Sequence, residues 1–221
     1  MKTNETVLTN FADLQFTANW IANSISNRQQ VCDFCWTIDN VLPPNILNRI
    51  NYFLDSNDKW IDERILAAKQ QGATSYSVNG MPKGPRRSVH WDQPDTSPYR
   101  QMHFVFQQLA PVIRGMFENQ HTEFQGSTMW EDSPEYTIVP HVDNDSISYA
   151  IQIYLNDADL DCGTCMYNAF SFNNIDTFDG EVIYQVPFKK NVGYILKNSA
   201  NSWHGMTKPG NTRRSVYASY T

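Results

Sequence analysis

The stretch Ser148-Tyr149-Ala150-Ile151-Gln152-Ile153-Tyr154-Leu155-Asn156 decides the fold. Side chains of an extended chain alternate between two faces. Tyr149, Ile151, Ile153 and Leu155 therefore form an apolar face, and Ser148, Ala150, Gln152, Tyr154 and Asn156 a polar one. The last stretch repeats the pattern, with Arg213, Ser215, Tyr217 and Ser219 on one face and Arg214, Val216 and Ala218 on the other. Two β-strands that turn polar faces inward enclose a hydrated or ligand-filled interior.

Outward from this pair, short β-rich stretches recur at Ser127–Trp130, Tyr136–Val142, Met166–Phe172, Glu181–Val186 and Gly193–Lys197. Turn signals separate them, among them Asp132-Ser133-Pro134, Asn156-Asp157, Asp179-Gly180 and Pro209-Gly210. Regular short strands of this kind predict a sandwich or barrel. The front of the chain reads differently. A weak helical pattern covers Phe11 to Ile25, a strand is expected over Phe34 to Val41, and a helix follows Pro43-Pro44. A further helix is expected from Asp58 to Gln71, with Gly72 as its stop. Residues 73–96 read as a long loop with short extended pieces, in which Arg86-Arg87 is a solvated basic turn. Ser97-Pro98 starts a helix as N-cap and N1, and Pro111 is expected to kink it. The fold class is α+β within one domain. Residues 1–33 are expected as an N-terminal extension, 34–123 as helical support and 124–221 as the β core.

Composition narrows the function. The aromatic share of 13% supplies a large core, so disorder over most of the 221 residues is excluded. No run reaches the roughly 18 apolar residues of a membrane span. The net charge of -6 argues against a broad nucleic-acid surface. A cytoplasmic protein without membrane or nucleic-acid partners is expected. The four cysteines form two C-x-x-C pairs, Cys32/Cys35 and Cys162/Cys165. Zinc ribbons hold such knuckles about 15–20 residues apart, whereas 126 residues separate Cys35 from Cys162. Ordinary reduced thiols are expected rather than a shared zinc or a redox pair.

The chemistry is concentrated in His141-Val142-Asp143 and His204. Side chains at i and i+2 of a strand share a face, so His141 and Asp143 stand side by side. If His204 joins them, two imidazoles and one carboxylate leave coordination positions open on one face of a metal. Zinc hydrolases use similar ligands, so the trio alone does not fix the metal. Nine residues after His204 comes Arg213-Arg214-Ser215, a guanidinium and a hydroxyl suited to holding a carboxylate.

Taken together these segments resemble the Fe(II)/2-oxoglutarate-dependent dioxygenases, in particular their prolyl-4-hydroxylase-like branch. The pattern is H-x-D, a distant H, and R-x-S about ten positions on. Tyr154-Leu155-Asn156 resembles the family's Y-L-N strand, and Cys162-Gly163-Thr164 its G-G-x-T turn with a cysteine replacing one glycine. The likeness covers roughly residues 34–221. It implies a double-stranded β-helix (jelly-roll) braced by N-terminal helices. It implies Fe(II) on His141, Asp143 and His204 as the catalytic centre, with 2-oxoglutarate and O2 as co-substrates and succinate and CO2 as products. It also implies that Arg213, helped by Tyr154 and Ser215, holds the distal carboxylate of 2-oxoglutarate. The substrate is expected to be a peptidyl residue such as proline, an amino acid or another small molecule. Trp130, Trp91 and the 73–96 loop are candidates for the pocket rim. A cupin-like metal-binding jelly-roll, acting as an isomerase or binding module, is the alternative, and it leaves Arg213 unexplained.

Overall fold

The computed structural model describes residues 11–62, 84–89, 92–118, 121–168, 180–206 and 210–221. Its helices are α1 (Phe11–Ser26), α2 (Pro44–Ser56), α3 (Pro98–Gln108) and α4 (Ala110–Phe117). The strands at the front are β1 (Gln29–Cys32), β2 (Cys35–Asp39), β3 (Trp60–Asp62) and β4 (Arg86–Val89). Then follow β5 (Phe124–Asp132), β6 (Ile138–His141), β7 (Tyr149–Tyr154) and β8 (Cys165–Tyr167). The last four are β9 (Val182–Gln185), β10 (Val192–Lys197), β11 (His204–Met206) and β12 (Arg213–Tyr220). No helix among the described residues is long and apolar enough to cross a membrane.

Two antiparallel sheets carry the molecule. The larger has the order β1-β2-β10-β7-β12-β5-β4-β3, the smaller β6-β11-β8-β9. From β5 onward the chain crosses between them, with β5, β7, β10 and β12 in the large sheet and β6, β8, β9 and β11 in the small one. That winding makes a double-stranded β-helix. The sheets do not close into a barrel, and each keeps two edges.

The expected alternation governs which side of the large sheet does what. Ile151, Ile153, Val216 and Ala218, each at most 1% exposed, join Ile195 in the core beneath the helices. Ala150 and Gln152 face the other way, toward the small sheet, and line a cavity. Strands buried on both faces need helices as well as a second sheet to cover them. The amphipathic helices supply that cover. α2 buries Ile46, Leu47, Ile50 and Leu54, which at about 1.5–3 kcal/mol each offsets much of its ordering entropy. α1 adds Ala18, Ile21 and Ile25 to the same core, so residues 11–26 are built into the fold.

Local signals explain where helices start and stop. The Ser97 hydroxyl accepts the Arg100 N–H at 3.2 Å and caps α3. The kink expected at Pro111 is a break between α3 and α4 at Leu109. Proline at 111 has no N–H for the Gln107 carbonyl, so the ladder cannot run through. The helix expected from Asp58 to Gln71 is not formed at its start. Trp60–Asp62 is a strand paired with β4, Trp60 opposite Val89. The Arg87 guanidinium lies 4.6 Å from the centroid of the Trp60 ring, and this tertiary pairing overrides the local helical pattern. The remainder of that expected helix, with Gly72, lies outside the described residues, as do Trp91 and the part of the long loop from 73 to 83.

Candidate metal centre

His141 ends β6 and His204 opens β11, and these strands pair with His204 opposite His141. Asp143 follows two residues after His141, on the turn toward β7. His141 Nε2 and His204 Nε2 each lie 3.7 Å from Asp143 Oδ1. One ligand atom from each residue falls within 4.8 Å of the others, the one such cluster among the described residues. The expected convergence of His141, Asp143 and His204 is therefore present.

The donor set fits a divalent ion. His141 Nδ1 lies 2.9 Å from the Val139 carbonyl and His204 Nδ1 lies 2.9 Å from the Ser202 carbonyl. A carbonyl only accepts, so in each neutral ring Nδ1 carries the proton and Nε2 presents its lone pair to the site. Ligand atoms about 2.0–2.1 Å from a shared ion would stand roughly 3.0–3.4 Å apart. The 3.7 Å spacings are a few tenths of an ångström wider than that.

Electrostatics agree with this reading. Burial, followed by the neighbouring His141, pushes His204 down to about 4, with Asp143 and the Ser202 carbonyl offsetting only part. Burial pushes the Asp143 carboxyl up, but His204 and His141 together hold it below its usual value. The His204 shift has a sign that can be tested. The unfolded chain takes up the His204 proton near pH 6.5 and the folded chain near pH 4. Between those values the unfolded state holds the extra proton, so the metal-free protein loses stability as pH falls through this window. The loss is expected to reach about 3 kcal/mol. Denaturant melts at pH 4.5, 5.5 and 6.5 should show it, and His204→Gln should flatten the slope. An unchanged slope in that variant would assign the titration to another group.

The trio lines a cavity of about 250 Å³ between the sheets. A cavity of about 150 Å³ already takes a benzene, so there is room for a small organic molecule larger than that. Trp130, Ile138, Leu196, Met206 and Tyr217 make apolar wall, with the Trp130 and Tyr217 rings stacked at 4.9 Å. Gln152, Thr164 and Tyr194 supply polar wall. Their network is fully directional. The Tyr154 hydroxyl meets Thr164 Oγ1 at 3.0 Å, Thr164 Oγ1 donates to Tyr194 at 3.3 Å, and Tyr194 donates to Gln152 Oε1 at 2.5 Å. Gln152 Nε2 then donates to Ser215 Oγ at 2.9 Å. Burial raises both phenols above their ordinary range, so they remain neutral hydroxyls.

Arg213, Tyr154 and Ser215 do not line this cavity. Tyr154 and Ser215 stand one layer behind it, bonded to Thr164 and Gln152. Arg213 is 1% exposed. It donates to the Cys162 carbonyl at 3.0 Å and to the Tyr136 carbonyl, with Asp132 4.0 Å from its Nε. Arg213 and Ser215 share the inward face with Tyr217, as alternation requires, but they lie at successive levels along β12. Only Tyr217 is at the level of the cavity wall.

The guanidinium that does reach the wall is Arg86, which corrects the reading of Arg86-Arg87 as a solvated turn. Both lie on β4, paired with β5, and alternation sends them to opposite faces. Arg86 holds the buried Asp132 through Nε at 2.5 Å and NH2 at 3.0 Å. It lies 4.2 Å from the centroids of both Trp130 and Tyr136. Arg87 pairs with Glu131 outside.

The turn resembling G-G-x-T shows why a glycine stands at 163. A Cβ there would lie 1.7 Å from the Val186 carbonyl oxygen. Gly163→Ala is expected to cost at least about 2–3 kcal/mol through overpacking and to lower the thermal midpoint by roughly 5–10 °C. A midpoint within a degree of wild type would show that the 162–165 turn sits elsewhere. Cys162 lies in this turn and Cys165 opens β8, while Cys32 and Cys35 face one another across the β1–β2 hairpin, all four as free thiols.

The fold is that of the prolyl hydroxylases. A prolyl hydroxylase from Trichoplax adhaerens, solved with a hypoxia inducible factor oxygen degradation domain peptide fragment, matches with a TM-score of 0.57 at 15% identity, covering 96% of this chain and 94% of that one. A prolyl-4-hydroxylase from Pseudomonas putida matches with a TM-score of 0.53 at 11% identity, covering 92% and 97%. No family model matches the chain, and no curated protein matches it.

Proposed function

We propose that the protein is an Fe(II)- and 2-oxoglutarate-dependent oxygenase that hydroxylates an organic substrate. The observation that carries the reading is the His141–Asp143–His204 cluster, three ligand atoms within 4.8 Å opening onto a cavity between the sheets. Two imidazoles and one carboxylate would hold the iron, and their single-sided arrangement leaves positions for co-substrates. When bound, the iron supplies the activation of O2 coupled to decarboxylation of 2-oxoglutarate.

The protein's own groups supply orientation and exclusion of water. Val139 and Ser202 hold the two imidazoles by their Nδ1 protons. Thr164, Tyr194 and Gln152 offer hydroxyl and amide contacts to a polar co-substrate. The buried charge of Arg213, felt at the Tyr154 hydroxyl that bonds to Thr164, favours a dicarboxylate co-substrate. The Trp130–Tyr217 wall suits an apolar part of the substrate. The Trichoplax neighbour was solved with a peptide, which supports a peptidyl residue such as proline as the substrate class, with free amino acids next.

The test is succinate formation from 2-oxoglutarate with Fe(II) and O2, over a panel of proline-containing peptides and free amino acids. Succinate should rise with the right acceptor and be absent in His204→Ala. Metal binding with no 2-oxoglutarate affinity and no succinate would favour the cupin-like metal-binding reading.

A further inference from the structure

We infer that Asn198 is a positioning residue whose carboxamide locks the loop carrying Asp143 to the turn carrying His204. The inference rests on the metal reading of the triad. Asn198 lies just after β10 and touches none of the three ligand side chains. Its Nδ2 faces three main-chain carbonyls of one loop, at 3.2 Å from Asp143, 3.1 Å from Asn144 and 2.8 Å from Ile147. Its backbone N–H donates to Ser148 at 2.8 Å. The loop that holds Asp143 is thus gathered on one residue from Asp143 to Ser148.

The other end of the same amide reaches the second ligand. The single Ser202 hydroxyl proton is shared between Asn198 Oδ1 at 3.1 Å and the Ser199 carbonyl at 2.8 Å. That hydroxyl also accepts the Ser199 N–H at 2.9 Å. Ser202 is fully buried, and its carbonyl accepts His204 Nδ1 at 2.9 Å. One path of hydrogen bonds therefore runs from the Asp143 carbonyl through Asn198 and Ser202 to the His204 ring. The two ligands belong to segments 61 positions apart, and His204 pairs across strands with His141, not with Asp143. This path is what sets Asp143 against His204 and keeps their ligand atoms at 3.7 Å. Partners of ligands beyond the first contact commonly carry about 10–100-fold of metal affinity.

The test is a titration of metal-free protein with Co(II) alone, followed by affinity and by the visible absorption of the bound ion. Asn198→Ala should weaken Co(II) about 10–100-fold and alter its spectrum, and Ser202→Ala should act in the same direction. Because both belong to one path, the double variant should bind little worse than the weaker single. Asn51→Ala, which removes a tie of 2.8 Å between α2 and the Leu155 carbonyl, is the control for general loosening and should bind Co(II) within about twofold of wild type. Wild-type binding with unchanged affinity in Asn198→Ala and Ser202→Ala overturns the clamp while leaving the metal reading intact. Additive losses, or an equal loss in Asn51→Ala, overturn it also. A wild-type chain that takes no Co(II) removes the metal reading and the clamp together. Should Asn198→Ala fail to fold, Ser202→Ala and the control still decide the matter.

Discussion

Asp143→Ala is expected to abolish metal-dependent stabilisation while leaving the fold intact. An ion that binds only the native state raises stability by about 2.7 kcal/mol at one hundred times its dissociation constant. For a chain of this length that is roughly 5–10 °C in thermal midpoint. In wild type, Co(II) or Mn(II) should produce such a shift. In Asp143→Ala it should vanish, since losing a direct ligand weakens binding by more than the roughly 100-fold upper range for an outer partner. The metal-free variant should melt close to wild type. Among the described residues the Asp143 carboxylate pairs only with the two imidazoles, so its removal breaks no other ion pair. A large midpoint loss without metal, or an undiminished shift with it, would sink the assignment of Asp143 as ligand. Succinate formation, on the proposed function, should fall with the metal shift.

How much of this could be read from sequence depended on whether the signal was local. The H-x-D spacing and the alternation of β7 are local, and both the ligand pair and the two-sided burial of that strand follow from them. The Ser97-Pro98 start of α3 is local too. β11 was not expected as a strand, because His204-Gly205-Met206 is only three residues long and gains its strand character from pairing with β6 and β8. The segment alone gives Arg86 as solvated, because its place on the cavity wall depends on β4 pairing with β5, Arg86 opposite Asp132. Nothing within the Gly84–Val89 segment announces that partner. Asn198 carries no motif at all, and its role lies in the three carbonyls of another segment that converge on it. Alternation, finally, says which face a residue takes and is silent about level along the strand. It turned Arg213 inward correctly and left open whether its guanidinium meets the cavity.

That distinction gives Arg213 two separable expected effects. Arg213→Ala should destabilise the metal-free protein by about 3–5 kcal/mol, because a buried guanidinium leaves behind two carbonyls, those of Cys162 and Tyr136, and a void. The thermal midpoint should fall by roughly 10–15 °C. Arg214→Ala provides the contrast on the other face of the same strand. Arg214 pairs with the exposed Asp55 at 2.6 Å, a contact of about 0.2–1 kcal/mol, and at 2.9 Å with the half-buried Glu131, which keeps Arg87 as a second partner when Arg214 is removed. On the proposed function a second effect follows. Arg213 does not line the cavity, so its charge acts on the distal carboxylate through the wall, and a loss of about 2 kcal/mol on its removal corresponds to roughly 30-fold in 2-oxoglutarate affinity, at tenfold per about 1.4 kcal/mol. Chemical denaturation and a 2-oxoglutarate titration of the same two variants, carried out below their melting ranges, read the effects independently. Lost stability with unchanged 2-oxoglutarate affinity would make Arg213 a brace for the 162–165 turn, and the co-substrate contacts would then fall to Thr164, Tyr194 and Gln152. Loss of both would mean that its buried charge is felt across the wall those three residues form.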